Sequence, residues 1–425
     1  MTVKIPYAKT EVTFAVPEGM DAEILRSHEV PVPEGLSEDD IVRAAMAEPI
    51  GSPKLSELAR GKKRATIICS DHTRPVPSRH ILPHMLRELR EGSPGIEITL
   101  LIATGCHRHT TKEELIFKMG EEIVNHEHIV IHDCLDQESL TEVGTLPSGA
   151  RLIINKAAVD TDLLVSEGFI EPHFFAGFSG GRKSVLPGIC SRTTVLGNHC
   201  SKFIASPCAR TGVLEGNPLH RDMLAAAKLA HLTYIVNVLI DEEKHAVAAF
   251  AGDPFRAHEA GTACLLKYAA VKPKRPADIV ITSNGGYPMD QNIYQSVKGL
   301  TAAEAAAAPG AVIITCASCT DGNGGESFYR MLAECESAAA LLDQIGKVPQ
   351  DETIPDQWEA QILARILAAH RVIFVAEPKV KEQICSMKME YAATLDEAWA
   401  KAVEEKGSGA KLTVIPNGIS VIVRA

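Results

Sequence analysis

No stretch of this sequence is apolar for long enough to cross a bilayer as a helix, which takes about 20 residues. The alanine-rich run Ala302–Ala308 carries Glu304 and stops at Pro309-Gly310, so it suits a soluble helix. The opening residues, MTVKIPYAKTEVTFAV, lack the basic start and apolar core of a secretory signal. Their alternation of apolar and polar residues reads instead as a pair of strands. Positive charge is not in excess: 43 Lys and Arg against 54 Asp and Glu leave a net charge of −11. Such a balance argues against nucleic acid or an acidic membrane surface as the main partner, although a phosphate site needs only a few local cations. Disulfide spacing is missing too. The eleven cysteines are odd in number and scattered, and Cys69, Cys264 and Cys316 sit in apolar runs where a thiol behaves as a small hydrophobe. The one C-x-x-C, Cys316-Ala-Ser-Cys319, has no thioredoxin-like surroundings. A reducing cytoplasm is the expected location. Internal repeats and low-complexity tracts are also lacking.

What is present is a series of short β-branched runs separated by segments of helical spacing. The runs are 65–70, 96–104, 162–168, 278–284, 311–316, 371–377 and 411–416. Near-continuous apolar strands alternating with helices imply an α/β fold of mainly parallel sheets with helices on both faces. Helices are expected at 112–125, 301–308, 358–370 and 394–405; in the third, Trp358, Ile362, Leu363, Ile366 and Leu367 form one apolar stripe. At 425 residues the chain is longer than one core usually reaches. The charged, proline-broken stretch 271–277 marks the expected boundary between an N-terminal cofactor-binding domain, 1–271, and a C-terminal domain, 272–425, that closes the active site in the crevice between them.

Ligands of open α/β sheets bind beyond the carboxyl ends of the strands, and the unusual residues of this chain stand there. Asp71-His72-Thr73-Arg74 follows the first run, and Cys106-His107-Arg108-His109 follows the second. Glu171-Pro-His173 and the glycine-rich stretch Gly177–Ser184 follow the third, and NGGYPMDQNIYQSVK, 284–298, follows the fourth. Each is ambiguous alone: Asp71 before prolines can simply cap a turn, and His107 among charges can belong to a solvated loop. Their joint placement favours a site. The stretch GFSGGRKS resembles a phosphate-binding P-loop, but Arg182 intervenes between the last glycine and Lys183, so the pattern fails. Its glycines would still let a ligand approach the backbone, with the Lys183 amine beside it. His199, with Cys200 next to it, offers a metal donor. The group His126, His128 and His132 also suggests zinc but reads better as a charged surface. Gln295 and Lys298, three apart on a helix, share a face that suits a carboxylate.

The segments DHTRPVP, TGCHR, EGFIEPHFFAGFSGGRKSVLPG, Asn198-His199, NGGYPMDQNIYQSVKG and IPDQW together resemble the nickel-pincer-nucleotide-dependent lactate racemases, in order, from about residue 50 onward. The resemblance implies a cofactor, Ni(II)-pyridinium-3,5-bisthiocarboxylate mononucleotide, tethered at Lys183, with His199 as the protein ligand to nickel. It implies cofactor contacts from Asp71, His72, Thr73 and Arg74, and acid/base roles for His107 and His173. Gln295 and Lys298 would anchor the substrate, with Tyr294 and Trp358 lining its pocket. The implied reaction interconverts L- and D-lactate by reversible hydride transfer through pyruvate, since side chains do not themselves accept hydride. Partner enzymes that build the nickel nucleotide are implied as well. Malate, glycerate or an aromatic 2-hydroxy acid are alternative substrates. A magnesium-dependent phosphotransferase and a non-catalytic carrier of the nucleotide are the rival functions, the carrier having no need of the paired histidines.

Overall fold

A computed structural model describes residues 1–32 and 34–424. The backbone divides into two compact units. One comprises Glu29–Asn198 and Val213–Tyr268; the other comprises Met1–His28, His199–Gly212 and Ala269–Ala425.

The Glu29–Asn198/Val213–Tyr268 unit is built on six strands in the spatial order Ala246–Gly252, Leu232–Ile240, Leu163–Phe169, Arg64–Ser70, Glu97–Ala103, His128–Ile131. All neighbours are parallel except the first pair, an antiparallel edge hairpin. Helices cover both faces of a parallel sheet, so its strands are apolar on both sides. Leu163–Phe169 is buried at every position, and Ile67, Leu100, Val165 and Val236 meet in one core with Met85 and Leu89 of the Ser78–Gly92 helix. Each such side chain contributes about 1.5–3 kcal/mol on full burial.

The other unit has an all-parallel sheet ordered Glu390–Ala392, Arg371–Val375, Ala307–Cys316, Ala277–Ser283, Leu412–Ile415, Ala22–Ile24. Its last strand comes from the start of the chain, which is why the first 28 residues belong to this unit. The alternating N-terminal segment forms the expected antiparallel pair, Thr2–Tyr7 with Thr10–Ala15, and drives Val3, Ile5 and Phe14 into the core against Ile279, Ile314 and Val414.

All seven β-branched runs are strands. Two expected helices differ. The 112–125 segment breaks into Lys112–Met119 and Glu121–His126, because Gly120 takes φ +93° and ends the first helix. The alanine-rich helix starts earlier and is longer, Ile293–Ala306, with Asn292 capping it through the Gln295 N–H at 2.9 Å. Its last two alanines leave it to begin the Ala307–Cys316 strand.

Candidate functional site

At the carboxyl end of Arg64–Ser70 the chain turns at Asp71, which is 1 % exposed. One carboxylate oxygen accepts from His107 Nδ1 at 2.7 Å; the other accepts from the Thr73 hydroxyl at 2.7 Å and the Thr73 N–H at 3.2 Å. Burial alone would push this carboxyl up, but these bonds and the charges of His107 and Arg74 outweigh it and hold it below its usual value. An ionised carboxylate only accepts, so His107 carries a proton on Nδ1. His107 itself is exposed on the loop after Glu97–Ala103. His72 packs its ring against Thr110, Nδ1 to Oγ1 3.0 Å, while the Arg74 side chain is exposed and its carbonyl accepts from buried Lys118 at 2.8 Å.

After Leu163–Phe169 the chain forms a short hairpin, Pro172–His173 with Gly177–Phe178, and then the turn Gly181–Ser184. His173 Nε2 lies 3.2 Å from Lys183 Nζ. The Ala176 N–H donates to His173 Nδ1 at 3.3 Å, which leaves Nε2 as the ring atom that faces the Lys183 amine. The two histidines are thus held differently, His107 by a carboxylate and His173 by a backbone N–H.

The glycines of this loop serve the protein's own packing, which corrects the expectation that they leave room for a ligand. Gly177, Gly180 and Gly181 have φ of +81°, +74° and +52°. A Cβ on them would lie 2.4 Å from the Val213 carbonyl, 2.7 Å from the Phe169 carbonyl and 2.7 Å from the His258 ring, respectively. Arg182, which spoils the P-loop pattern, is 1 % exposed and points inward. Its guanidinium donates to the carbonyls of Phe178 and Ala176, both at 2.8 Å, and to His220 at 3.0 Å. Buried arginine and Asn237, whose Oδ1 accepts from the Gly181 N–H at 2.7 Å, fix the backbone from which Lys183 projects.

In the other unit Lys298 Nζ donates to Gln295 Oε1 at 2.6 Å, across one turn of the Ile293–Ala306 helix. The first turn of the Gln357–Ala369 helix brings Trp358 against His199, rings 5.0 Å apart and near edge-on. Gln361 Nε2 donates to the Ser201 carbonyl at 2.9 Å and ties that helix to the segment carrying His199. Tyr294 shares hydrogen bonds with Trp358 and Asp356. Burial first, then the carboxylates of Glu359 and Asp356, hold its phenol well above the usual value.

Sequence reasoning missed Glu359. It is 1 % exposed, and neither carboxylate oxygen has a hydrogen-bond partner among the described residues. Burial pushes its carboxyl up to about 8, with Asp356 adding to the rise and the Lys298 charge opposing it. The signal was available: Glu359 is the one carboxylate of a helix whose burial extends well beyond the expected stripe. His132 corrects the surface reading of the histidine group. It is fully buried, bonded to the Cys190 carbonyl at 3.0 Å, and burial pushes it down to about 4. His126 and His128 are exposed. Cys316 and Cys319 are both buried, and burial holds each thiol up at about 12.

Residues 7–212 match the lactate racemase N-terminal domain family, and residues 272–423 the lactate racemase C-terminal domain family. The chain is 53 % identical to the lactate racemase of Thermoanaerobacterium thermosaccharolyticum over 99 % of each chain. To that of Lactiplantibacillus plantarum it is 51 % identical over the whole of both. Its backbone superimposes on the apoprotein structure of the Thermoanaerobacterium enzyme with a TM-score of 0.97 over the full length of both chains. A protein from Thermotoga maritima shares the fold at TM-score 0.66 and 19 % identity, over 93 % of this chain and all of that one. The chain belongs to the lactate racemase family.

Proposed function

We infer that this protein is an isomerase that interconverts L- and D-lactate. The observation that carries the chemistry is the opposed pair of histidines. His107 is oriented by Asp71 at 2.7 Å, and His173 by the Ala176 N–H at 3.3 Å, with its Nε2 3.2 Å from the Lys183 amine. Inverting a 2-hydroxy acid requires one group to take the hydroxyl proton of one enantiomer and another to return a proton for its mirror image. Each histidine would serve as base in one direction and acid in the other. Lys298, with its charge, and Gln295 would hold the carboxylate, while Tyr294 and Trp358 limit the size of the substrate.

The donor set fits the nickel-pincer nucleotide. Among the described residues no three His, Cys, Asp or Glu side chains are grouped to hold a metal ion. A metal used here would have to bring most of its ligands with it, and one imidazole, His199, then suffices from the protein. Lys183, on a backbone fixed by Arg182 and Asn237, would supply the amine for attachment, and the Asp71–Arg74 loop would lie against the nucleotide. Bound there, the group supplies the reversible two-electron oxidation that side chains cannot perform. Enzymes that build the nucleotide are the implied partners. No described helix is long and apolar enough to cross a membrane, and eleven cysteines outside any disulfide support a cytoplasmic setting.

Chiral chromatography of the product formed from L-lactate by cofactor-loaded protein tests this reading. A mixture of D- and L-lactate is expected. Unchanged L-lactate from fully loaded protein would remove lactate as the substrate and direct attention to larger 2-hydroxy acids.

A further inference from the structure

Two thiols that the racemase reading leaves unused meet at the carboxyl edge of the sheet that carries His107. The strands Glu97–Ala103 and His128–Ile131 run parallel, with Ile102 opposite Ile131. Beyond them the two chain ends stay side by side: the His132 N–H donates to the Ile102 carbonyl at 3.1 Å, and the Thr104 hydroxyl to the His132 carbonyl at 2.6 Å. Each strand then enters a turn that carries a cysteine, Cys106 on one and Cys134 on the other. Cys106 is exposed and Cys134 buried behind it. The turns bring the two thiols close enough to influence each other's proton, with the Arg192 side chain acting on both. The Arg192 backbone adds a bond to the Cys134 carbonyl at 3.0 Å.

The pair shares one proton unequally. The hydrogen bond from Cys106 and the charge of Arg192 outweigh burial and bring Cys134 down to about 6. Cys106, as the donor, is pushed up, first by that same bond and then by burial. Thiolate character next to an accessible sulfur is what thiol–disulfide exchange requires. Buried thiols such as Cys69, Cys190 and Cys316 have neither.

We propose that Cys106 and Cys134 are an oxidisable pair, closed to a disulfide by exchange with a small-molecule disulfide, and that closure disables the neighbouring His107. The Cys106 sulfur attacks one sulfur of the small disulfide as its proton passes to Cys134; the small S–S bond breaks and one small thiol leaves. Cys134 then loses its proton to water and attacks the Cys106 sulfur, breaking the mixed S–S bond and releasing the second small thiol. Two electrons and the one proton the pair holds leave the protein, and the small disulfide gains both, taking its second proton from water. The new S–S bond is shorter than the hydrogen-bonded contact it replaces and draws Cys106 inward. His107, the next residue, depends on a 2.7 Å bond to Asp71, and hydrogen bonds weaken steeply with misalignment. The effect on catalysis rests on the role given to His107 above; the pairing of the thiols does not.

The test treats cofactor-loaded enzyme with oxidised glutathione, alkylates the remaining thiols, maps linked peptides by mass spectrometry and assays racemisation in parallel. The expected result is a Cys106–Cys134 linkage, loss of activity in step with it, and recovery of both by dithiothreitol. Cys106→Ser, with ordinary basal activity, should form no linkage and keep its activity through the treatment. Glutathione spread over other cysteines with no Cys106–Cys134 peptide would overturn the proposal, as would a complete linkage that leaves activity unchanged. Linkage is read by mass whether or not the protein racemises lactate, so failure of the pair and failure of the racemase reading are distinguishable.

Discussion

His107 and His173 differ in how each is held, and the difference has consequences that can be measured singly. A carboxylate fixes His107 and a backbone N–H fixes His173, so 15N spectra of the neutral His107 imidazole should show the Nδ1–H form. Replacing either by alanine should lower racemisation from both enantiomers by about 10²–10⁴-fold, the usual contribution of a general acid or base. A variant of either that keeps full speed in chiral chromatography would remove that residue from the mechanism. Glu359 gives a pH dependence with a definite sign. Its carboxyl sits near 8 in the folded chain and near the ordinary glutamate value, about 4.3, when unfolded. Between those values the folded form holds a proton that the unfolded form has lost, so stability falls as pH rises through the window. Glu359→Gln cannot titrate, and its Tm should gain on that of the parent protein from about pH 5 to about pH 8. Parallel Tm curves would show that burial does not hold this acid protonated. Of these residues, the places of His107 and His173 after strands were legible, but the way each is held was not, because the partners Asp71 and Ala176 bond to them only in the folded turns.

Among the elements, the loop Gly177–Ser184 shows how a motif can draw attention to glycines whose physical reason is a different one. Its glycines are needed because carbonyls and a ring of the same unit crowd them, and its arginine is a buried clamp. Gly180→Ala places a side chain at φ +74°, ψ −177°, a region essentially confined to glycine and costing about 1–3 kcal/mol, and adds a clash at 2.7 Å with both the Phe169 carbonyl and Asn237 Oδ1. Gly310→Ala has a similar φ of +70° with nothing within 4 Å of the added carbon, so it carries the backbone cost alone. Thermal melts should therefore show Gly180→Ala well below Gly310→Ala, and equal melting points would mean the loop yields to the clash. The Gln357–Ala369 helix illustrates the reverse. Its apolar spacing announced a helix, yet Glu359 and Gln361 are buried along with that stripe, at positions a periodicity argument assigns to solvent.

At the scale of the whole molecule, the cofactor proposed above is one that this chain would have to receive from other enzymes. Protein produced without the cofactor-building enzymes should show an unmodified Lys183 peptide by mass spectrometry and no racemase activity. Co-production with them should add mass to that peptide and restore turnover. Activity in protein with an unmodified Lys183 would separate catalysis from the tether.

The sequence by itself determined the α/β class, the seven β-branched strands and the loops where polar groups gather, because each of these follows from local periodicity and from the rule that parallel strands are apolar on both faces. Tertiary structure decided what periodicity does not encode. It took Ala22–Ile24 from the start of the chain to the edge of the sheet formed by its last third. It also buried Glu359 without a hydrogen-bond partner among the described residues and set Cys134 against Cys106. Each of these depends on contacts between residues far apart in the chain, whose energies arise only when the strands that carry them have paired.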